Sequence, residues 1–500
     1  MRKSSSAFPL ILAPFAAGAL AWGLNMLLFP VPISRWALLA ASCLALGLYA
    51  LSFRLRKIPA GDAAVPLILA ASFLTMLLFV LQTPYDFSSH DLSAAGSLAA
   101  PREDAGHIWY AVSFLRDWLF PLSVNPLESP HTIFYNPPFF YLLEGMCLNG
   151  NLLLGVPWDM ALENLQTVSL FFAFQCVVLI YRILREFALP RRSLILGLLA
   201  AAFQPALLIF SGTLTNDIAS VCLVLAALLY TAQWYRKQSL RHIAAIALCL
   251  GLAMATKLSA ALAALPVGLV LAFRFFQNLK SWKAFLGQFA LFLLISIPLG
   301  TAWPLFHAIR WNMPLNFIPE PPRFLYAGML SGAARYLPFD WGVLRSGPYF
   351  SLDVPANANL WVQTLRTAVF DELSSFPDRP GMLLLSYGML ALFAAMAALA
   401  VFALARMLFA KGPRPYPRLL LCSFLAYGAA LLASYAVFYR RYPYICTLNF
   451  RYIMPLLLLL ALGVARAARG PGPLARVTQV AVGAFAVASC FVYASALAFP

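Results

Sequence analysis

A chain of 500 residues with 62% apolar side chains, 11% charged ones and a formal charge of +17 is not that of a soluble protein, in which charged residues make up about 25%. Its 35 basic and 18 acidic side chains cannot cover a soluble surface of this size, so the sequence reads as an all-α polytopic membrane protein. The positive surplus then implies no nucleic-acid partner, because Lys and Arg gather in the cytoplasmic loops of membrane proteins.

A crossing helix needs about 20 apolar residues. In chain order thirteen segments meet or approach this: 8–29, 34–53, 64–83, 163–182, 193–211, 216–234, 240–256, 258–274, 285–306, 382–406, 418–438, 452–468 and 476–498. The first follows Met1-Arg2-Lys3 and is read as a retained helix, since no clear cleavage site follows it. Segment 138–155 is apolar in part but carries Glu144 and Asn149-Gly150-Asn151. If it crosses, Arg182, Arg185, Arg191, Arg192, Arg236, Lys237 and Arg241 all face outward. If it lies at the interface, the cytoplasmic side holds 22 of the 35 basic residues and, of the acids, only Asp62 and Glu186. The positive-inside rule selects the interfacial arrangement. The amino terminus is then expected inside and the carboxyl terminus outside.

The chain divides on this reading into amino-terminal transmembrane helices (1–83), a first external loop with interfacial helices and an acidic motif (84–162), core transmembrane helices (163–306), a second external loop (307–381) and carboxy-terminal transmembrane helices (382–500). Loop mass is concentrated on one face, which points to chemistry there. The eight Cys show no metal-type spacing, and only Cys147 and Cys446 fall where a disulfide could form outside.

Five polar elements stand out. The first is Arg102-Glu103-Asp104-Ala105-Gly106-His107. It opens a stretch, 103–119, whose apolar spacing predicts an amphipathic helix on the membrane surface. Glu103 and Asp104 would sit in its first turn, where the helix dipole favours carboxylates; the structural alternative is that they do nothing more. The second, Phe134-Tyr135-Asn136-Pro137-Pro138-Phe139-Phe140-Tyr141, places two prolines where a loop ends and an interfacial helix opens. Asp217, at the outer mouth of a span, is either a functional acid at membrane depth or a helix cap shared with Asn216 or Thr215. Lys257, in Thr256-Lys257 between two spans, either binds an anion or snorkels to lipid headgroups. Arg451 and Tyr452, in Asn449-Phe450-Arg451-Tyr452, are either part of a site or an interface anchor. Carboxylates and cations thus gather at one rim, which suits a lipid-linked phosphate substrate: a carboxylate takes a proton while cations hold phosphate.

In this order the five elements resemble those of the C-type (GT-C) integral-membrane glycosyltransferases, in the branch of the protein O-mannosyltransferases and the lipid A aminoarabinose transferase. The resemblance runs from about 84 to 470. It implies a GT-C-like fold of about 13 transmembrane helices and a hexosyl- or pentosyltransferase. The donor would be a polyprenyl-phosphate sugar, and the acceptor hydroxyl or amine would belong to a lipid, glycan or protein at the outer face of a bacterial inner membrane. Asp104 or Glu103 would be the base, with His107, Tyr135, Asn136, Asp217, Lys257, Arg451 and Tyr452 binding substrate. Direct displacement would invert the anomeric centre. Relatives in this branch work without a metal, so no cofactor is expected, although Glu103, Asp104, Asp217 and His107 are the hard ligands a divalent ion would take. Here Glu103 precedes Asp104, which reverses the usual order and leaves the base open between them, and the WWD signature of oligosaccharyltransferases is missing. The competing readings are a glycan polymerase or ligase on the same face, and a transporter or flippase of a lipid-linked substrate. A transporter calls for broken helices and midplane charges, whereas the charges here gather at one rim.

Overall fold

The computed structural model describes residues 18–24, 35–87, 95–321, 326, 335–337, 339–350, 358–372, 380–410 and 416–494. The longer helices run in chain order as α1 (Arg35–Leu55), α2 (Ala60–Gln82), α3 (Phe139–Leu153), α4 (Gln166–Arg185), α5 (Arg191–Ala202), α6 (Asn216–Arg236), α7 (Leu240–Met254), α8 (Ala264–Gln277), α9 (Trp282–Trp311), α10 (Leu360–Phe370), α11 (Pro380–Phe409), α12 (Arg418–Arg441), α13 (Leu457–Ala467) and α14 (Pro473–Ala494). The single sheet among the described residues is a two-residue ribbon, Gly96–Ser97 against Ala100–Pro101.

Among the described residues ten helical runs are long and apolar enough to cross a bilayer, and α7 is a shorter apolar helix. Their outer faces say what surrounds them. On α9, Leu293, Leu294, Ile297 and Ile309 are at least half exposed. A protein surface so apolar over so many helices is stable only in lipid, and the chain is an integral membrane protein. Within the bundle lipid offers no hydrophobic gain, so helices associate by close packing of small residues. Gly463 on α13 lies so close to α11 that an added Cβ would fall 2.6 Å from the backbone of Ala400, and Gly197 on α5 meets the Ala461 carbonyl in the same way.

Two expectations are modified and a third lies mostly outside the described residues. The predicted span 193–211 is two helices, α5 and Pro205–Ile209. Pro205 has no N–H to continue the ladder, and the Gln204 side chain donates instead to the Ala368 carbonyl at 2.9 Å. The first span, 8–29, falls outside the described residues except for 18–24. The surface helix expected over 103–119 is replaced by a seven-residue helix, His107–Ser113, with every residue buried. Gly106, at φ 60° and ψ −129°, precedes it and keeps Glu103 and Asp104 out of its first turn. Beyond it Asp117 accepts the Leu119 N–H at 3.0 Å, a local bond that competes with helix continuation.

Segment 138–155 forms α3, whose 15 residues reach only roughly 22 Å at 1.5 Å each. Its Glu144 carboxyl is fully buried, with no polar partner for either oxygen among the described residues. Burial pushes that carboxyl well above the usual carboxylate range. Cys147 is a free thiol, so the disulfide considered for it is not formed.

Candidate functional site

The centre of the site is one buried ion pair. Thr215, in extended conformation, starts α6 without a capping side-chain bond. Asp217 therefore does not serve as the cap. It points to Lys257, whose ammonium donates to its carboxylate. Lys257 reaches it because α7 ends at Met254 and the chain is extended at Lys257 before a 3₁₀ turn, Leu258–Ala263. Asn216 closes the junction by donating to the Thr256 carbonyl at 2.8 Å. The Asp217 side chain is 6% exposed and that of Lys257 21%, so neither is solvated as a lipid-facing anchor would be.

Arg451 and Tyr452 complete the cluster from a separate part of the chain. They lie on the 3₁₀ run Phe450–Leu456, which precedes α13. The Arg451 guanidinium donates to the Tyr452 hydroxyl at 3.1 Å. Lys257 and Arg451 each stand 5.1 Å from the Tyr452 ring centre, so the aromatic face is shared by two cations. Arg451 is buried and exerts its charge on Asp217. Lys257 and Arg451 thus bring two fixed cations to one buried carboxylate, cations of the kind that hold a phosphate.

The first loop supplies the adjoining wall. His107 Nδ1 lies 2.7 Å from the Tyr141 hydroxyl. The Tyr141 ring stacks on Tyr110 with centres 4.2 Å apart. Pro138 caps α3, and the Phe139 N–H donates to the Ala255 carbonyl at 3.0 Å. That one bond ties the Pro-Pro element directly to the turn carrying Lys257. Asn136 receives the Tyr110 hydroxyl on its carbonyl at 3.3 Å. Tyr135 is half-buried, edge-on to Phe317.

Asp104 and Glu103 stand apart from the ion pair. Their side chains are 58% and 57% exposed, held by Arg102 at 2.7 Å and by Arg116 at 2.9 Å. Arg102 engages both Asp104 oxygens and, by this hydrogen bonding first of all, holds the carboxyl below the usual aspartate range. Only Ala105 and Gly106 separate Asp104 from His107, three residue steps that span at most about 11 Å. The acidic pair therefore stands at the rim of the buried cluster.

Sequence reasoning missed the support behind Arg451. Asn449 Nδ2 donates to Asp371 at 2.7 Å and to Glu372 at 2.9 Å, while its Oδ1 accepts the Arg451 N–H at 2.8 Å. Asp371 is buried at φ 51°, a conformation rare for a non-glycine residue. The signal available was an acidic pair, Asp371-Glu372, directly after an apolar run in an external segment. Among the described residues no three His, Cys, Asp or Glu side chains converge as metal ligands would.

The sequence family described as dolichyl-phosphate-mannose-protein mannosyltransferase matches residues 162–301, the stretch that holds Asp217 and Lys257. No curated protein matches the chain. Among solved structures it is similar to the oligosaccharyltransferase AglB of Archaeoglobus fulgidus in complex with an inhibitory peptide and a dolichol-phosphate, at 14% identity and a TM-score of 0.45, over 86% of this chain and 55% of that one. It thus spans about half the length of that enzyme. It is also similar to ArnT of Cupriavidus metallidurans, at 17% identity and a TM-score of 0.40 in the apo state, over 88% of this chain and 77% of that one. Bound to undecaprenyl phosphate, ArnT gives 16% and 0.37, over 87% and 76%. That family match runs from α4 into α9, and over those residues the chain is similar to the mannosyltransferase family.

Proposed function

We propose that the chain transfers a hexose or pentose from a polyprenyl-phosphate donor to an acceptor hydroxyl or amine at the outer face of a bacterial inner membrane, with inversion at the anomeric carbon. The observation that carries this reading is the buried cluster in which Lys257 and Arg451 surround Asp217 and share the Tyr452 ring. The acceptor oxygen or nitrogen attacks the anomeric carbon as the bond to the phosphate oxygen breaks. The acceptor proton passes to a carboxylate at the rim, Asp104 in our assignment. Polyprenyl phosphate leaves as a stable anion, so it needs no acid; Lys257 and Arg451 neutralise the charge that grows on it. Asp217 orients Lys257, and His107 with Tyr141 forms the wall beside the sugar.

The direct test is to supply the purified chain with radiolabelled polyprenyl-phosphate pentose and hexose donors, together with membrane lipid and glycan acceptors. Transfer of label with release of polyprenyl phosphate in equal amount is the expected result. Movement of intact donor across a vesicle without bond cleavage would instead favour the flippase reading.

Orientation is tested separately. In a Cys-free background, a Cys placed at Ala100 should react with an impermeant thiol reagent added outside. One placed at Arg192 should react only after permeabilisation, because the Arg191-Arg192 end belongs with the cytoplasmic loops. The opposite pattern would put the site on the inner face.

A further inference from the structure

The end of the bundle away from Asp217 carries a second concentration of positive charge with its own cavity. Arg451 and Arg466 sit 15 residues apart along the Phe450–Ala467 helical run, hence at opposite ends roughly 22 Å or more apart. At the Arg466 end, α11, α13 and the turn into α14 enclose a cavity of about 360 Å³, within the roughly 300–1,000 Å³ of small-molecule sites. Its lining includes Arg406, Arg466, Arg469, Phe402, Pro473 and Leu474. Arg406 and Arg469 are close enough to Arg466 for the three charges to repel one another. Arg466 Nε is buried and has no hydrogen-bond partner among the described residues.

Among the described residues no acidic side chain is paired with these three charges. From residue 379 to 500 the sequence has no Asp or Glu. Neighbouring α5 supplies Arg192, which donates to Gln479 at 2.7 Å, and Gln479 in turn donates to the Ala468 carbonyl. The two acids assigned to this side are already taken: Asp62 by Arg191 and Glu186 by Arg236. Like charges gathered in one cavity without a counter-ion are costly unless an anion is bound. The cavity's apolar lining continues outward. Phe402 in the lining is 50% exposed, and Val401 next to it in sequence and Val477 and Val480 further along α14 are more so, apolar surface fit for acyl chains.

We propose that this cavity binds the headgroup of an anionic phospholipid, its phosphodiester between Arg406, Arg466 and Arg469 and its chains along the Phe402–Val477 face. The site is remote from the donor site and does not depend on the assigned reaction. The test uses the full chain in neutral detergent, stripped of lipid. Phosphatidylglycerol, phosphatidylcholine and inorganic phosphate are titrated separately, with bound lipid counted by native mass spectrometry and the unfolding temperature followed. Phosphatidylglycerol should bind saturably and raise the unfolding temperature, and phosphatidylcholine should not compete. Arg466→Gln with Arg469→Gln should weaken binding about thirtyfold, at roughly fivefold per arginine. Arg476→Gln, outside the cavity, should leave it unchanged. Equal affinity in wild type and the double variant would overturn the proposal. So would inorganic phosphate occupying the site as well as the lipid does, which would mark a soluble anion instead. Should the double variant fail to fold, a photoactivatable phosphatidylglycerol on wild type decides: cross-links are expected in 402–406 or 466–475, and cross-links confined elsewhere refute the site.

Discussion

Arg451→Ala is expected to lower transfer per folded protein by about 10²–10³-fold, the loss seen when one donor to a developing anion is removed from a water-poor site. Arg451 is buried, its backbone is fixed by Asn449, and its guanidinium is held by the Tyr452 hydroxyl, so a truncated side chain leaves the leaving-group phosphate with one cation. Charge on that phosphate is larger in the transition state than in the bound donor, so turnover should suffer more than the apparent donor affinity. Arg451→Lys should restore only part of the rate, because a single ammonium does not reproduce the planar fork that matches phosphate oxygens. A lipid-headgroup anchor would give full rescue by Lys, with losses that follow protein abundance. Lys257 is a poorer probe of the same idea. Lys257→Met strips the partner from the buried Asp217 carboxylate, and breaking a buried pair from one side costs about 3–5 kcal/mol of stability. Its activity loss would mix binding with unfolding.

The second large effect is expected at the rim. Asp104→Asn keeps the shape and one of the two Arg102 hydrogen bonds but cannot take a proton, and transfer should fall on the order of 10²-fold or more. Glu103→Gln, on an equally exposed side chain held by Arg116, should cost less; the reverse ranking would move the base to Glu103. The pH profile carries a further sign. Arg102 holds the Asp104 carboxyl below its ordinary value, so the base form persists as pH falls and is lost only at a lower pH than for an ordinary aspartate. Arg102→Gln removes the hydrogen bonds to the carboxylate and should move the acid limb of the profile upward. An acid limb unmoved by Arg102→Gln would remove Asp104 from proton transfer.

How much of this was legible beforehand depended on how local the cause was. Spans were readable because twenty apolar residues in a row have few soluble alternatives, and α2, α4, α6 and α9 overlap their predicted segments. The break at Gln204-Pro205 was visible as a proline, yet hydropathy averages over it. The stripe over 103–119 was real, but an apolar face looks the same whether it meets lipid or protein. Burial of His107–Ser113 against α3 decided the matter, and that requires knowing the neighbour. The candidate site was legible as a set of residues and illegible as a set of pairs. Asp217 and Lys257 are 40 residues apart, and Asn449 reaches acids 78 and 77 residues earlier. Side-chain identity gave the charges; only the fold could say which charge met which.

The claim on which the rest depends is that Lys257 and Arg451 grip the phosphate of a polyprenyl lipid. Its most direct measurement is equilibrium binding of sugar-free polyprenyl phosphate to the detergent-solubilised chain, compared among wild type, Arg451→Gln and Arg476→Gln. Wild type and Arg476→Gln are predicted to bind saturably with the same Kd. Arg451→Gln, with an unfolding temperature close to wild type, is predicted to bind at least tenfold more weakly, and a Kd unchanged by Arg451→Gln would contradict the account.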